Sequence, residues 1–275
     1  MNPAFRVRAV GVCFLFLAGC GRQGLPPTGQ GPGAPVPRGD AISTFTLVGH
    51  NEAGRRKWEV QGETADLLAE VVELSPVRAT SYGQVQLKLS AAQGRFNKTT
   101  RDVHLEGDVV AVTSDGAKLT TQRLDWTQDR EEGRTEDWVR VSRPGMTATG
   151  LGGVGYPKLK RVRLDRDVTV RLKDAKGHTL ITCDGPMEVD YARRKARFWR
   201  NVRVRDSKGV IQADRLDVTL QPKTNQIEKA TFWGHVWIRQ GTQRAYANRM
   251  NYWQPLGHIQ LVGHPKLVLM AEGHE

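Results

Sequence analysis

From about Ile42 onward, apolar residues recur at every second position. Stretches such as WEVQGETADLL from Trp58, VHLEGDVVAVTS from Val103, VRLDRDVTVRL from Val162, FWRNVRVRD from Phe198, TFWGHVWIR from Thr231 and GHIQLVGHPKLVLM from Gly257 all carry this alternation. They are rich in β-branched and aromatic residues, and Gly, Asp, Asn or Lys fills the gaps between them. A period of two in such runs predicts strands. Only AEVVEL, from Ala69, argues for a helix, and it is too short to change the class. The expected fold is all-β.

The strands also repeat. Val77, Val109, Val139, Val168, Val202, Val236 and finally Pro265 mark equivalent places, separated by 32, 30, 29, 34, 34 and 29 residues. A nearly constant period of this size indicates stacked supersecondary units, none of which buries its apolar face alone. Each unit holds two strands. One leads into the marker, and the other ends in a phrase such as TTQRLDW, QADRLDV or YANRMNY.

Alternation sorts these residues onto two faces. Leu105 and Val109, then Leu164, Val168 and Val170, then Phe198, Val202 and Val204, then Phe232, Val236 and Ile238 fall at matching places in successive units and form one apolar row. His104, Glu106, Asp108, Arg197, Asn201, Arg203 and Arg205 fall on the opposite, polar row. Trp199, Trp233 and Trp237 also lie there, which predicts partial cover by a neighbouring strand or a partner.

The N-terminus places the protein in the cell envelope. Arg6 and Arg8 precede an apolar run from Ala9 to Leu17, followed by Leu17-Ala18-Gly19-Cys20. This is the layout of an export signal, and the run is too short to span a bilayer as a helix. The closing tetrapeptide resembles a lipobox, with Cys20 as the residue that receives lipid. Residues 21–41 are dominated by Gly and Pro and read as a tether. Cys13 would leave with the signal, so Cys183 alone remains for the folded part and no internal disulfide forms. The net charge of +12 favours a polyanionic partner, without choosing among nucleic acid, an anionic membrane and a phosphorylated glycolipid.

Catalytic signatures are missing from the sequence: it has no H-E-x-x-H, G-x-S-x-G or P-loop. His258 and His264 have no evident third metal ligand. Asp184 with Asp190 and Asp214 with Asp217 recur within repeat phrases, where polar residues are expected. The reading is therefore non-enzymatic, with no cofactor and no metal. No nucleic-acid-binding module is recognisable.

The phrases LEGDVVAVTSDGAKLTTQRLDW, VIQADRLDVTL and IQLVGHPKLVL on an exported all-β chain resemble the periplasmic lipopolysaccharide-transport proteins of the LptC and LptA (OstA-like) families. Residues 42–155 resemble the LptC type and residues 156–275 the LptA type, the second continuing the first. The resemblance implies a twisted β-jellyroll whose sheets enclose an apolar groove for acyl chains. It also implies lipopolysaccharide as cargo, an ABC transporter complex among the other Lpt partners, and jellyrolls joined edge to edge, with partners or with further copies of the chain as homo-oligomers. LptC-type proteins usually hold the inner membrane through an N-terminal helix, whereas this chain shows a lipobox. The anchoring membrane, inner or outer, is left open, with Gly21 in place of an aspartate pointing to the outer one. The competing reading is a structural or polysaccharide-binding β-solenoid lipoprotein whose apolar row is a closed core.

Overall fold

The computed structural model describes residues 41–50, 53–66, 70–82, 86–127, 129–130, 132–156, 160–174, 177–222 and 227–269. The signal, the lipobox with Cys20 and the tether up to residue 40 lie outside them. The strands are β1 (Ala41–His50), β2 (Arg56–Asp66), β3 (Val71–Ser75), β4 (Val77–Ser81), β5 (Leu87–Ala91), β6 (Gln93–Asn97), β7 (Val103–Thr113), β8 (Lys118–Thr127), β9 (Glu132–Arg143), β10 (Met146–Tyr156), β11 (Arg161–Asp174), β12 (Gly177–Cys183), β13 (Met187–Asp190), β14 (Lys195–Arg205), β15 (Val210–Leu220), β16 (Ile227–Gln240), β17 (Gln243–Trp253), β18 (His258–Val262) and β19 (Lys266–Val268). The stretch that argued for a helix is β3, because its β-branched residues pair with β6.

Every pairing is antiparallel, and the ladder runs from β1 to β19 without a break. Long strands cross the whole molecule, and each shorter pair forms one interrupted crossing. β3, β6, β13 and β18 pair with one half of their long neighbours. β4, β5, β12 and β19 pair with the other half. The ladder is thus folded along a line into two leaves: a twisted β-jellyroll.

That line is made of strand corners. Backbone φ is positive at Gly107 and Asp108, at Asp167, at Arg200 and Asn201, at Gly234 and His235, and at Gly263 and His264. Gly, Asn, Asp and His tolerate this left-handed region better than β-branched residues do, which explains the recurring GD, RD, RN and GH dipeptides. At the corners of β14 and β16 the pairing register jumps, from Trp199 to Val202 and from Trp233 to Val236. Two residues therefore leave the ladder at each corner. The marker residues Val109, Val168, Val202 and Val236 are the first after it, and each is at most 1% exposed.

The second repeat phrase supports these corners from the neighbouring strand. In Thr121-Gln122-Arg123-Leu124, Ala213-Asp214-Arg215-Leu216 and Ala247-Asn248-Arg249-Met250, the second residue meets the facing corner. Gln122 Nε2 donates to Asp108 Oδ1 at 3.0 Å. His235 Nδ1 and Asp214 Oδ2 lie 2.8 Å apart, and the Asn248 backbone N–H donates to the Gly263 carbonyl at 3.2 Å. Leu216 and Met250, the fourth residues of their phrases, are 1% exposed. Each fully buried side chain of this size stabilises the fold by roughly 1.5–3 kcal/mol before ordering costs are counted.

A candidate lipid-binding face between the leaves

All eleven residues of the expected apolar row face the interior. Leu105, Val109, Leu164, Val168, Val170, Phe198, Val202, Phe232 and Val236 are buried. Val204 and Ile238 are half-buried and pack against the same core. On β14 and β16 burial falls two residues after the corner: Val202 and Val236 belong to a closed spine, while Val204 and Ile238 form a half-buried outer tier. Val170 and Ile181, in the same cross-strand row, stay buried. Leu119, Val141, Leu172 and Ile211 share that tier with Val204 and Ile238.

The row is not uniform along the stack. Leu105 and Val109 belong to a cluster with Val77, Leu89 and Ala91. The residues from Leu164 onward belong to a larger one that runs from Val139 to Met250. Between the clusters, the buried hydroxyls of Thr121 and Thr135 share a hydrogen bond of 3.0 Å. This polar pair makes a step in the apolar lining. Cys183 lies in the larger cluster, where burial pushes its thiol up to about 11 despite backbone hydrogen bonds that oppose the rise. At neutral pH it is protonated and acts as a small apolar core residue.

The tryptophans on the polar row are covered from within their own sheet. Trp233 lies between the guanidinium groups of Arg215 and Arg249, at 5.3 and 5.1 Å from the ring centre. Its Nε1 donates to Asp217 Oδ2 at 3.0 Å. Arg239 sits 5.9 Å from the Trp237 ring, and Trp199 faces Arg215 across the β14–β15 pair. The cover comes from arginine by cation–π contact, on neighbouring strands for Trp233 and on the same strand for Trp237.

The carboxylates and histidines considered at the outset serve the scaffold. Asp184 accepts from Asn201 at a corner, and Asp190 accepts the backbone N–H of Arg193 at 2.8 Å. Asp214 meets His235 as described, and Asp217 binds Arg215 at 2.6 Å. His258 packs at a tilt against Trp253 with ring centres 5.5 Å apart, and His264 is itself a corner residue. Among the described residues, no three His, Cys, Asp or Glu side chains converge in a metal-binding arrangement.

A folded ladder with an apolar interior and, among the described residues, no convergent cluster of metal-ligating groups is suited to holding hydrocarbon. Comparison with known families names the hydrocarbon. Residues 42–173 match the family described as lipopolysaccharide-assembly, LptC-related. Residues 181–274 match the LptA/(LptD N-terminal domain) LPS transport protein family. The chain belongs to the lipopolysaccharide-transport proteins. No curated protein matches it. This Lpt protein joins an LptC-related part to an LptA-like part, and it is a lipopolysaccharide-transport component that bridges the periplasm of a Gram-negative bacterium together with other Lpt components. The change of family falls in the β11–β12 hairpin, yet Val168 pairs with Cys183 across it and one core runs through both parts.

Proposed function

We propose that this Lpt protein carries the acyl chains of lipopolysaccharide between its two leaves without chemical turnover. The chains rest on the half-buried outer tier at Val204, Ile211 and Ile238, with the spine at Val109, Val168, Val202 and Val236 as a closed floor. The observation that carries this reading is the gradient from spine to tier. Spine residues have no room for a ligand at 0–1% exposure, while the tier is apolar and only half covered. The buried members of the expected row, Leu105, Leu164, Val170, Phe198 and Phe232, then act as the packed wall beneath the lipid.

Photo-crosslinking in living cells tests this. Adducts to lipopolysaccharide are expected from a photoreactive residue at Val204 or Ile238 and not from one at Arg203, whose side chain alternates to the outside. Absence of adducts from both tier positions in folded, exported protein would place the lipid elsewhere on the molecule.

The two parts, 42–155 and 156–275, work in this reading as one conduit. β1 pairs only with β2, and β18 and β19 only with β17, among the described residues. Those free edges offer backbone donors and acceptors to further jellyrolls, whether other Lpt components or copies of this chain. Ile259 and Leu267 at the C-terminal edge are 51% and 63% exposed, as an edge that joins a partner requires. Energy for movement comes from a partner, the ABC transporter complex of the system.

Cys20 anchors the protein to a membrane through lipid, after removal of residues 1–19. Mass spectrometry of the mature N-terminus is expected to show a diacylglyceryl-modified Cys20. Cys20→Ala is expected to remove the modification and leave the precursor unprocessed, with residues 1–19 still attached. An unmodified N-terminus in the wild type would make the segment an ordinary export signal.

A further inference from the structure

The two leaves differ in the charge they show to the outside. On the first leaf the outer residues alternate in sign across the strands. Arg163 faces Glu188, Glu188 faces Arg197, and Arg197 faces Asp217. Ion pairs form there, such as Arg163 with Asp165 at 2.9 Å and Arg215 with Asp217 at 2.6 Å.

The second leaf shows one sign. From β11 to the C-terminal edge its outer rows read Thr169, Thr182, Arg203, Gln212, Trp237, Tyr246, Lys266 and, one step outward, Arg171, Leu180, Arg205, Val210, Arg239, Arg244, Val268. No carboxylate stands on either row. Arg203, Arg205, Arg239, Arg244 and Lys266 are exposed, and among the described residues they form no ion pair. Arg239 and Arg244 stand directly opposite each other. Like charges at such a position are destabilising, so this arrangement calls for an anion from outside the protein.

We propose that this end of the second leaf docks on the surface of a bilayer containing anionic phospholipid. The basic cluster extends over β14 to β19, about 19 Å at roughly 4.8 Å per strand. That breadth suits a surface rather than a small ligand. Twist turns the earlier strands away from a common plane and confines the footprint to this end. Trp237, half-buried under Arg239, and Tyr246, 40% exposed, lie among the cations. Aromatic residues with a polar edge are the side chains that favour the headgroup level of a membrane. Arginine and lysine beside an anionic leaflet strengthen attachment, typically in combination with a lipid anchor. Residues 21–41 extend at most about 70 Å, enough for an anchored Cys20 to keep the face within reach of the same membrane. The cargo's own phosphates are a poorer fit, because lipid held between the leaves leaves by the rim and not through the outer face. The proposal is independent of where acyl chains bind inside.

The test uses the mature chain, residues 20–275, carrying Cys20→Ser, so that neither the export signal nor a lipid anchor contributes. Co-sedimentation is measured with phosphatidylcholine vesicles, with and without one-third phosphatidylglycerol. Binding is expected only to the anionic vesicles and is expected to weaken with salt. Arg203→Gln, Arg239→Gln and Arg244→Gln combined should weaken it about a hundredfold, at roughly fivefold per arginine. A control triple on the first leaf, Arg134→Gln, Arg163→Gln and Arg197→Gln, removes the same charge and should change it little. Quenching of tryptophan fluorescence by brominated phosphatidylglycerol, reduced in Trp237→Phe, reports the docked face without altering any arginine. Equal loss in both triples would overturn the proposal in favour of diffuse net charge. Binding to lipopolysaccharide aggregates that depends on the three arginines, with none to phosphatidylglycerol vesicles, would overturn it in favour of the cargo headgroup. Absence of binding to anionic vesicles by the unsubstituted face would overturn it outright.

Discussion

Val202→Asp is expected to unfold the protein, whereas Val204→Asp, two residues further along the same strand and on the same face, is expected to leave it folded and unable to bind lipopolysaccharide. Val202 is 1% exposed, directly after the β14 corner. A carboxylate there has no polar partner in the surrounding core of Phe198, Ala213 and Leu216. Burying an unpaired charge or its protonated form costs several kcal/mol, on the order of 4 or more, a large part of the roughly 5–15 kcal/mol that holds a domain together. Val204 is only half-buried, so its aspartate reaches water at a cost of about 1 kcal/mol while placing charge where hydrocarbon should rest. Val236→Asp and Ile238→Asp should repeat the contrast on β16. Urea unfolding and a lipopolysaccharide binding assay on each variant separate the two effects. A folded, binding-deficient Val202→Asp would show that the spine is open to lipid and that the division into tiers is wrong.

Gly185→Ala is the second change expected to have a large effect. Gly185 follows β12 with φ of 92°, a backbone conformation that costs an L-residue about 1–2 kcal/mol. A Cβ there would lie 2.3 Å from the carbonyl oxygen of Asp165 and 2.9 Å from its carbon. These are backbone atoms of β11 and cannot rotate aside. The Gly185 carbonyl also accepts from Arg200 Nε at 2.6 Å, which pins it to the next corner. Strain and overpacking together should destabilise the protein by about 3–5 kcal/mol. Gly241→Ala is the matched control. Its φ is 56°, but nothing lies within 4 Å of the added carbon, so about 1–2 kcal/mol of conformational cost is all it should show. Equal losses for the two would mean that the contact with β11 yields easily. The position has consequences for transport, since Gly185 sits just after the hairpin where the LptC-related match gives way to the LptA-like one. Loosening it should uncouple the two parts and cut transfer through the conduit.

How much was legible beforehand differs from residue to residue. Phe198, Val202 and Val204 were assigned to one face from alternation alone, and they share it, because the two corner residues Arg200 and Asn201 preserve the phase of the strand. The regular spacing of the marker valines was equally plain, since each follows a dipeptide suited to positive φ. The depth of each residue was not legible. Val202 and Val204 look alike in sequence, yet one is sealed in the spine and the other lies half open. The polar step at Thr121 and Thr135 was hidden for the same reason: two threonines in separate strands become a pair only when β8 and β9 bring them together. The cover over Trp233 came from Arg215 and Arg249, which are 18 and 16 residues away in the chain.

By itself, the sequence determined the strands, their repeat, the inward row and the resemblance to lipopolysaccharide-transport proteins. These depend on side-chain alternation and turn chemistry, which act over a few residues. Only the tertiary structure decided which half of each strand joins which leaf. From that followed the spine, the half-open tier and the separation of a charge-balanced outer face from a basic one. The physical reason is that burial and electrostatic neutralisation depend on neighbours across the ladder, and those neighbours are set by register and corners rather than by the order of residues along the chain.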